Sequence, residues 1–429
     1  MYQQTLDYLY TQLPMFQRVG KAAFKKDLTN IRKLCEALGN PFEKYPTIHI
    51  AGTNGKGSTT HLLAAMFQVK GLKVGVYTSP HYQDFRERIK INGEYISEQE
   101  VVEFVENHKL LFEKIQPSFF EITVAMAFEH FARHSVDIAI IETGLGGRLD
   151  STNIITPILS IITNISFDHQ NMLGDTLPLI AGEKAGIIKP NVPVVIGETH
   201  DETQGVFLEK AIQENAPISF ADSFYTAVPL KNDGIKSYYE VRELGHYGLI
   251  YNNLEFDLAG NYQAKNLITA IHAAEVLQSL GWKFSDADIM TAMANVRALT
   301  KMIGRWEVLN KNPLIIADSG HNEDGIQQVM MQISTMEFKE LHFVLGMVND
   351  KDQTKILKLL PKNALYYFCK PDIPRGLDAN ILQEKAAECG LIGEIYGSVK
   401  EALQSATEDA TSEDLIFVGG STFMVAEVI

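Results

Sequence analysis

Cysteine is scarce in this chain, and so is any long apolar run. Cys35, Cys369 and Cys389 are the three in 429 residues, widely spaced and in no metal-like pattern. That excludes a disulfide framework and points to a reducing compartment. The most apolar stretch, 154–165, is interrupted by Thr156, Pro157, Ser160, Thr163 and Asn164; it is too short and too polar to span a bilayer. The opening MYQQTLDYLYTQL has acid and polar residues where a secretory signal needs an apolar core. The expectation is a cytoplasmic chain with no membrane partner. Basic residues are also in deficit, 38 against 53 acidic, for a net charge of −15. Such a surface repels phosphodiester backbones and argues against nucleic acid as a partner. A small anion such as ATP remains open, because a nest of amides with one lysine outweighs a distant field.

What is present is ordinary globular material, 45% hydrophobic and 21% charged. The length asks for two or three domains, without repeats or low-complexity segments. Apolar residues recur at helical spacing at Leu6, Leu9, Tyr10 and Leu13, and again at Leu28, Ile31, Leu34 and Leu38. From Thr47 the pattern becomes strand, glycine loop, helix, strand: 47–51, 52–58, 58–70 and 73–78, one βαβ unit. Apolar runs at 136–142, 158–163 and 193–197 read as strands covered on both faces. Residues 220–257 alternate in a β-like way, and a helix follows from Ala264 towards Leu280. A second set of strands is expected at 314–317, 342–345, 366–369 and 415–418. The reading is α/β throughout: a P-loop-containing, doubly wound parallel-sheet domain over 1–297, then a smaller Rossmann-like α/β domain over 298–429, with ligands held in a cleft.

Four motifs carry chemistry. In Gly52-Thr53-Asn54-Gly55-Lys56-Gly57-Ser58, glycines allow a tight turn whose amides and following helix N-terminus face phosphate oxygens. Lys56 suits the β/γ oxygens and Ser58 a phosphate or magnesium, although Gly57 breaks strict Walker spacing. Glu142 ends a buried strand before Thr143-Gly144-Leu145-Gly146-Gly147-Arg148-Leu149-Asp150, a ligand position in such sheets and an oxygen donor for magnesium. Asp168-His169 and the lysine of Gly182-Glu183-Lys184-Ala185-Gly186 form the third set; by chemistry alone His169 reads as structural and Lys184 as an ordinary helix lysine. The fourth comprises Asn261-Tyr262-Gln263-Ala264-Lys265-Asn266, Gly304-Arg305-Trp306 and Asp318-Ser319-Gly320-His321-Asn322, where Arg305 suits phosphoryl charge and Asp318 closes a strand.

In order and spacing these motifs resemble the folylpolyglutamate synthase family, including its bifunctional dihydrofolate synthase form, within the Mur-ligase-like group. The resemblance runs through GTNGKGS, YTSPH at 77–81, ERIKING at 87–93, FFEITVAMAF at 119–128, ETGLGGRLDSTN at 142–153, DH at 168–169, EKAGIIK at 183–189 and the GGS at 419–421. It implies an ATP-dependent, magnesium-requiring ligase that adds L-glutamate to a folate or dihydropteroate carboxylate through an acyl phosphate. By that resemblance Gly52 to Ser58 hold the triphosphate, and Ser58, Ser79, Glu142 and His169 bind two magnesium ions. Lys184 matches a lysine that family members carry as a carbamate, reversing its plain reading. Gln263 and Asn266 resemble adenine contacts. Arg305, Asp318 and His321 join ATP and the reacting groups. Ser79, His81, Arg88, Phe120 and Glu121 face the pterin-bearing substrate. Departures from the family pattern are Ile303 for its usual proline, Tyr262 for histidine, and Ser319-Gly320 inside the Asp-His-Asn turn. The partners implied are small molecules, and the state a monomer. Two rivals are a peptidoglycan-precursor amino-acid ligase, which would be expected to carry a UDP-binding domain before the P-loop, and a non-catalytic P-loop sensor, which has no need of a second α/β domain.

Overall fold

The computed structural model describes residues 1–11, 27–245, 248–349 and 353–429. Leu13 of the first helical pattern lies outside them. Two compact units are present. The first comprises Met1–Lys231, Tyr238–Asp257 and Gln263–Met302; the second comprises Asn232–Ser237, Leu258–Tyr262 and Ile303–Ile429.

The first unit is built on eight strands: β1 (Thr47–Ala51), β2 (Val74–Tyr77), β3 (Ile89–Ile91), β4 (Glu94–Tyr95), β5 (Ile138–Glu142), β6 (Leu159–Ile162), β7 (Val194–Ile196) and β8 (Ile218–Phe220), in the order β4-β3-β2-β5-β1-β6-β7-β8. β2, β5, β1, β6, β7 and β8 run parallel. The edge pairs β2·β3 and β3·β4 are antiparallel. The sheet is therefore mixed: the 78–88 connection, which carries no crossover helix, returns β3 antiparallel to β2, and the short Asn92-Gly93 turn reverses the chain again into β4. Every residue of β1, β2, β5 and β6 is buried, as expected for strands with helices on both faces. One core packs Tyr77, Ala139 and Ile141 against the helix Phe119–Arg133 through Ile122, Met126 and Phe131. Another gathers Ala51 and Ile162 with Ala181, Ile187 and Phe207. The β-like stretch folds as β9 (Tyr225–Asn232), β10 (Ser237–Glu243) and β11 (Leu249–Phe256), a three-stranded sheet.

The second unit has β12 (Glu307–Lys311), β13 (Leu314–Ala317), β14 (Leu341–Leu345), β15 (Leu365–Phe368), β16 (Gly393–Ile395) and β17 (Leu415–Gly419), ordered β12-β13-β17-β14-β15-β16. All neighbours are parallel except β12·β13, which is antiparallel. Its core centres on Ile316, Phe343, Phe368, Leu382 and Phe417. Among the described residues no helix is long and apolar enough to cross a membrane. The three cysteines are free.

Candidate active site

Because β2, β5, β1 and β6 are parallel neighbours, their carboxyl ends share one edge. The loops that follow them, at 78–84, 143–150, 52–55 and 163–169, meet there, where open α/β sheets bind ligands. From β1 the chain enters the glycine loop. Gly52 has φ 152°, and a Cβ there would fall 1.9 Å from Thr163 Oγ1; Gly55 has φ 84°, and its Cβ would meet Asn266 Oδ1 at 2.2 Å. Neither position admits a side chain. Gly55 leads into the helix Lys56–Val69. The loop end of β6 holds the loop in shape: the Thr53 amide donates to Asn164 O at 2.9 Å and the Asn54 amide to Asn164 Oδ1 at 2.7 Å. Thr163 Oγ1 donates to Asn54 O and Thr53 Oγ1 to Ser166 O. Sequence reading missed Thr163, Asn164 and Ser166; the signal available was a run of small polar residues directly after a buried strand.

Two ammonium groups converge on one carbonyl. Lys56 Nζ donates to Gly52 O at 3.2 Å and to Thr53 O at 3.3 Å. Lys184, from the helix Leu177–Ala185, donates to Gly52 O at 2.9 Å. Lys184 is buried, and burial, with the charge of Lys56 adding to it, lowers its ammonium to about 7. An ordinary surface lysine is ruled out at this position.

Glu142 ends β5, buried, and Oε2 accepts the Ser79 amide at 3.2 Å. A Cβ at Gly57 would lie 3.6 Å from Oε2 and 3.9 Å from Oε1, so glycine there keeps the ground beside the carboxylate clear. The turn after Glu142 is organised by buried Asp150, which accepts from the Leu145 amide at 2.8 Å and from Thr152 N and Oγ1. His169 has φ 48° and opens the short helix Gln170–Leu173; its amide donates to Asp168 Oδ1 at 2.8 Å, and its ring Nε2 lies 3.8 Å from the same oxygen. Asn266 packs its amide on Gly55 while Gln263, fully enclosed behind it, accepts from Asn266 Nδ2 at 2.7 Å. Gln263 Nε2 is buried without a partner among the described residues.

A second cluster adjoins Ser79. Arg88 Nε donates to His81 Nδ1 at 2.7 Å, its guanidinium sits 5.4 Å over the Phe119 ring, and Tyr10 stacks on His81. Burial first, then Arg88, holds His81 well below the usual histidine range. Phe120 packs on Gly144, where a Cβ would meet its ring at 2.4 Å. Glu121 closes a capping box with Ser118, as the S-x-x-E spacing signals. Glu87, quoted within ERIKING but given no role there, accepts the amides of Tyr82, Gln83 and Asp84 and fixes the 79–84 loop.

In the second unit, Asp318 follows β13. Its Oδ2 accepts from Tyr262 Oη at 2.5 Å and Trp306 N at 2.7 Å, and its Oδ1 from Gly320 N at 2.7 Å. Arg305 Nη1 donates to Ser319 Oγ and to Gly304 O. His321 Nδ1 lies 2.9 Å from Ser319 O, and Asn322 caps the helix Glu323–Ile333.

Comparison with known proteins identifies the group. The Mur ligase middle domain matches residues 50–274, and the Mur ligase glutamate ligase domain matches 304–422. The dihydrofolate synthase/folylpolyglutamate synthase of Bacillus subtilis is 32% identical over 95% of each chain. The chain belongs to the folylpolyglutamate synthase/dihydrofolate synthase family. Its relatives are ATP-dependent ligases, and so is this protein. A Haloferax volcanii protein described as "Probable bifunctional folylpolyglutamate synthase/dihydropteroate synthase" is 33% identical over 99% of this chain, which spans half that protein's length. The Mycobacterium tuberculosis folylpolyglutamate synthase complexed with ADP superimposes with a TM-score of 0.88, at 30% identity over 99% of this chain and 97% of that one.

Proposed function

We propose that the chain couples ATP cleavage to amide formation between L-glutamate and the carboxylate of a folate or dihydropteroate. The observation that carries this reading is the convergence of Lys56 and Lys184 on the Gly52 carbonyl, inside a glycine loop that admits no side chain at 52 or 55. A carboxylate oxygen is a poor leaving group at neutral pH. Transfer of the γ-phosphoryl to it forms the C–O–P linkage of an acyl phosphate and releases ADP. The glutamate amine then attacks the carbonyl carbon, loses a proton, and the C–O bond breaks to release phosphate.

The residues divide this work. Thr53, Asn54, Gly55, Lys56, Gly57 and Ser58 wrap the triphosphate with amides and one cation, and Lys56 leaves the loop carbonyls to offset charge on the transferring group. Asn266 meets the adenine edge, and Gln263 orients its amide from behind. His81, Arg88 and Phe120, with Ser79, receive the acceptor; Glu121 supports them as a helix cap. Arg305, Asp318 and His321 are assigned to the nucleotide and reacting groups. The oxygen donors Glu142, Ser58 and Ser79 suit magnesium, His169 is assigned with them as a nitrogen ligand, and Gly57 leaves the carboxylate accessible. These residues would hold the ions, which when bound supply positive charge for the phosphate oxygens. Lys184, buried and with its ammonium lowered to about 7, offers an amine fraction at neutral pH that adds carbon dioxide: the N–C bond forms as one C=O π bond opens, the nitrogen loses one proton, and the neutral amine becomes a carbamate anion. The protein acts as a cytoplasmic monomer.

The test is phosphate release by purified protein with ATP and magnesium, with and without glutamate and the pterin acid. Release that requires both supports the reading; release indifferent to omitting both sinks it. Dihydropteroate and tetrahydrofolate offered separately as acceptors then decide between dihydrofolate synthesis and tail extension.

A further inference from the structure

Away from this site, the helix Glu98–Ile115 packs beside the helix Phe119–Arg133, and one point on their seam has no use in the ligase reaction. We propose that Glu100, His130 and His134 form a structural site for a divalent transition-metal ion of the zinc class. His130 and His134 are four residues apart, so their rings share one helix face. Glu100 Oε1 lies 2.6 Å from His134 Nε2 and 3.3 Å from His130 Nδ1. One ligand atom from each residue falls within 4.8 Å of the others. Tetrahedral zinc with bonds of about 2.0–2.2 Å places its ligand atoms roughly 3.3–3.5 Å apart, a spacing this triad reaches by small side-chain rotations.

The support behind the triad is already built. Glu100 Oε2 accepts from Ser97 Oγ at 2.7 Å and from Ser97 N at 3.2 Å, which leaves Oε1 aimed at the two imidazoles. Orientation of a ligand by its other end is what holds metal sites in shape. Two imidazoles and one carboxylate select zinc, cobalt, nickel or copper; magnesium prefers oxygen alone. His130 is 7% exposed, Glu100 23% and His134 40%, so the triad is rooted in the core and open on one side for entry and a water ligand. Arg133, the neighbouring cation, turns to Glu103 at 4.0 Å. A bound ion would staple the two helices, one of which carries Phe120 at its start.

The experiment uses full-length protein stripped with chelator and kept in millimolar magnesium, so that the oxygen-donor site is filled. Zinc is titrated calorimetrically, and cobalt is followed by its visible spectrum. The expected result is a single tight equivalent, micromolar or better, with a tetrahedral cobalt band. His134→Ala, at a half-exposed position where truncation should leave the fold intact, weakens zinc binding at least about tenfold and abolishes the band; Glu100→Gln does the same. Ligase turnover with saturating magnesium stays unchanged in both. Equal zinc affinity in wild type and His134→Ala, or no binding by wild type, overturns the proposal and leaves a plain carboxylate–imidazole pair.

Discussion

The loop at 52–58 and the turn at 318–322 begin alike, each where a buried parallel strand ends in small polar residues and glycine ahead of a helix. Their construction differs. The first is shaped from outside: Thr163, Asn164, Ser166 and Asn266 hold its backbone, and two lysines meet on its Gly52 carbonyl. The second is shaped around its own anion, with Asp318 accepting from Tyr262, Trp306 and Gly320. One turn concentrates positive charge, and the other encloses a negative one. The charges of the first should therefore act directly on the phosphoryl group, and the partners of the second should set the shape in which Asp318 is presented.

The strongest way to break that contrast is Lys56→Ala. Removing a cation that stabilises the transferring phosphoryl group should lower turnover on the order of 10²–10³-fold, with the melting temperature nearly unchanged because Lys56 is only half-buried. Near-normal phosphate release would assign Lys56 to loop structure alone. Next in size is Gly55→Ala. The left-handed φ of 84° and the approach of Asn266 Oδ1 at 2.2 Å should together cost about 2 kcal/mol, read in urea unfolding, and weaken ATP binding. Gly182→Ala, where a Cβ meets nothing within 4 Å, is the matched control.

Lys184 sharpens the comparison through pH. Burial lowers its ammonium from 10.5 to about 7. Between those values the unfolded lysine carries a proton that the folded one does not, so folding stability rises with pH across the window. Below about 7 both states are protonated and the burial penalty is constant. Lys184→Met has no such group. In carbon-dioxide-free buffer, the stability of wild type relative to Lys184→Met should increase from pH 7 to 9 by on the order of 1 kcal/mol per pH unit. A flat difference would show that the amine titrates normally and deprive carbamate formation of its neutral nucleophile.

Much of the framework was legible. Continuous apolar runs gave the strands carrying the loop, Glu142 and Asp318, because strands buried on both faces need apolar residues at consecutive positions. The β3–β4 edge, β8, β12 and β16 were not, since two to five residues at a sheet edge, partly exposed, leave too little pattern. Local chemistry misjudged Lys184, because nothing near it in sequence reveals that its ammonium ends on a carbonyl 132 residues away. Glu121, which the resemblance places with the substrate, also closes a capping box with Ser118, and that contact was written in the adjacent residues. Long-range partners such as Asn164 on Thr53 depend on strand order, which periodicity does not encode.

The smallest expected effect is at Tyr262, where the sequence departs from the family's histidine. Its hydroxyl donates to Asp318 Oδ2, which also takes the Trp306 amide. Tyr262→Phe removes that one donor and leaves the ring packed beside the second unit's core. Loss of a single hydrogen bond to a carboxylate should cost about 1.5 kcal/mol of stability, with two backbone amides still holding the turn. If Asp318 serves as the organiser of its turn, turnover should fall only a few-fold and KM for ATP change little. Tyr262→His, which restores a donor of different reach, should recover part of the lost stability. A collapse of turnover in Tyr262→Phe at preserved stability would instead make the Asp318 carboxylate's charge, tuned by that hydroxyl, a participant in the reaction, and the two turns would then be alike in kind as well as in sequence.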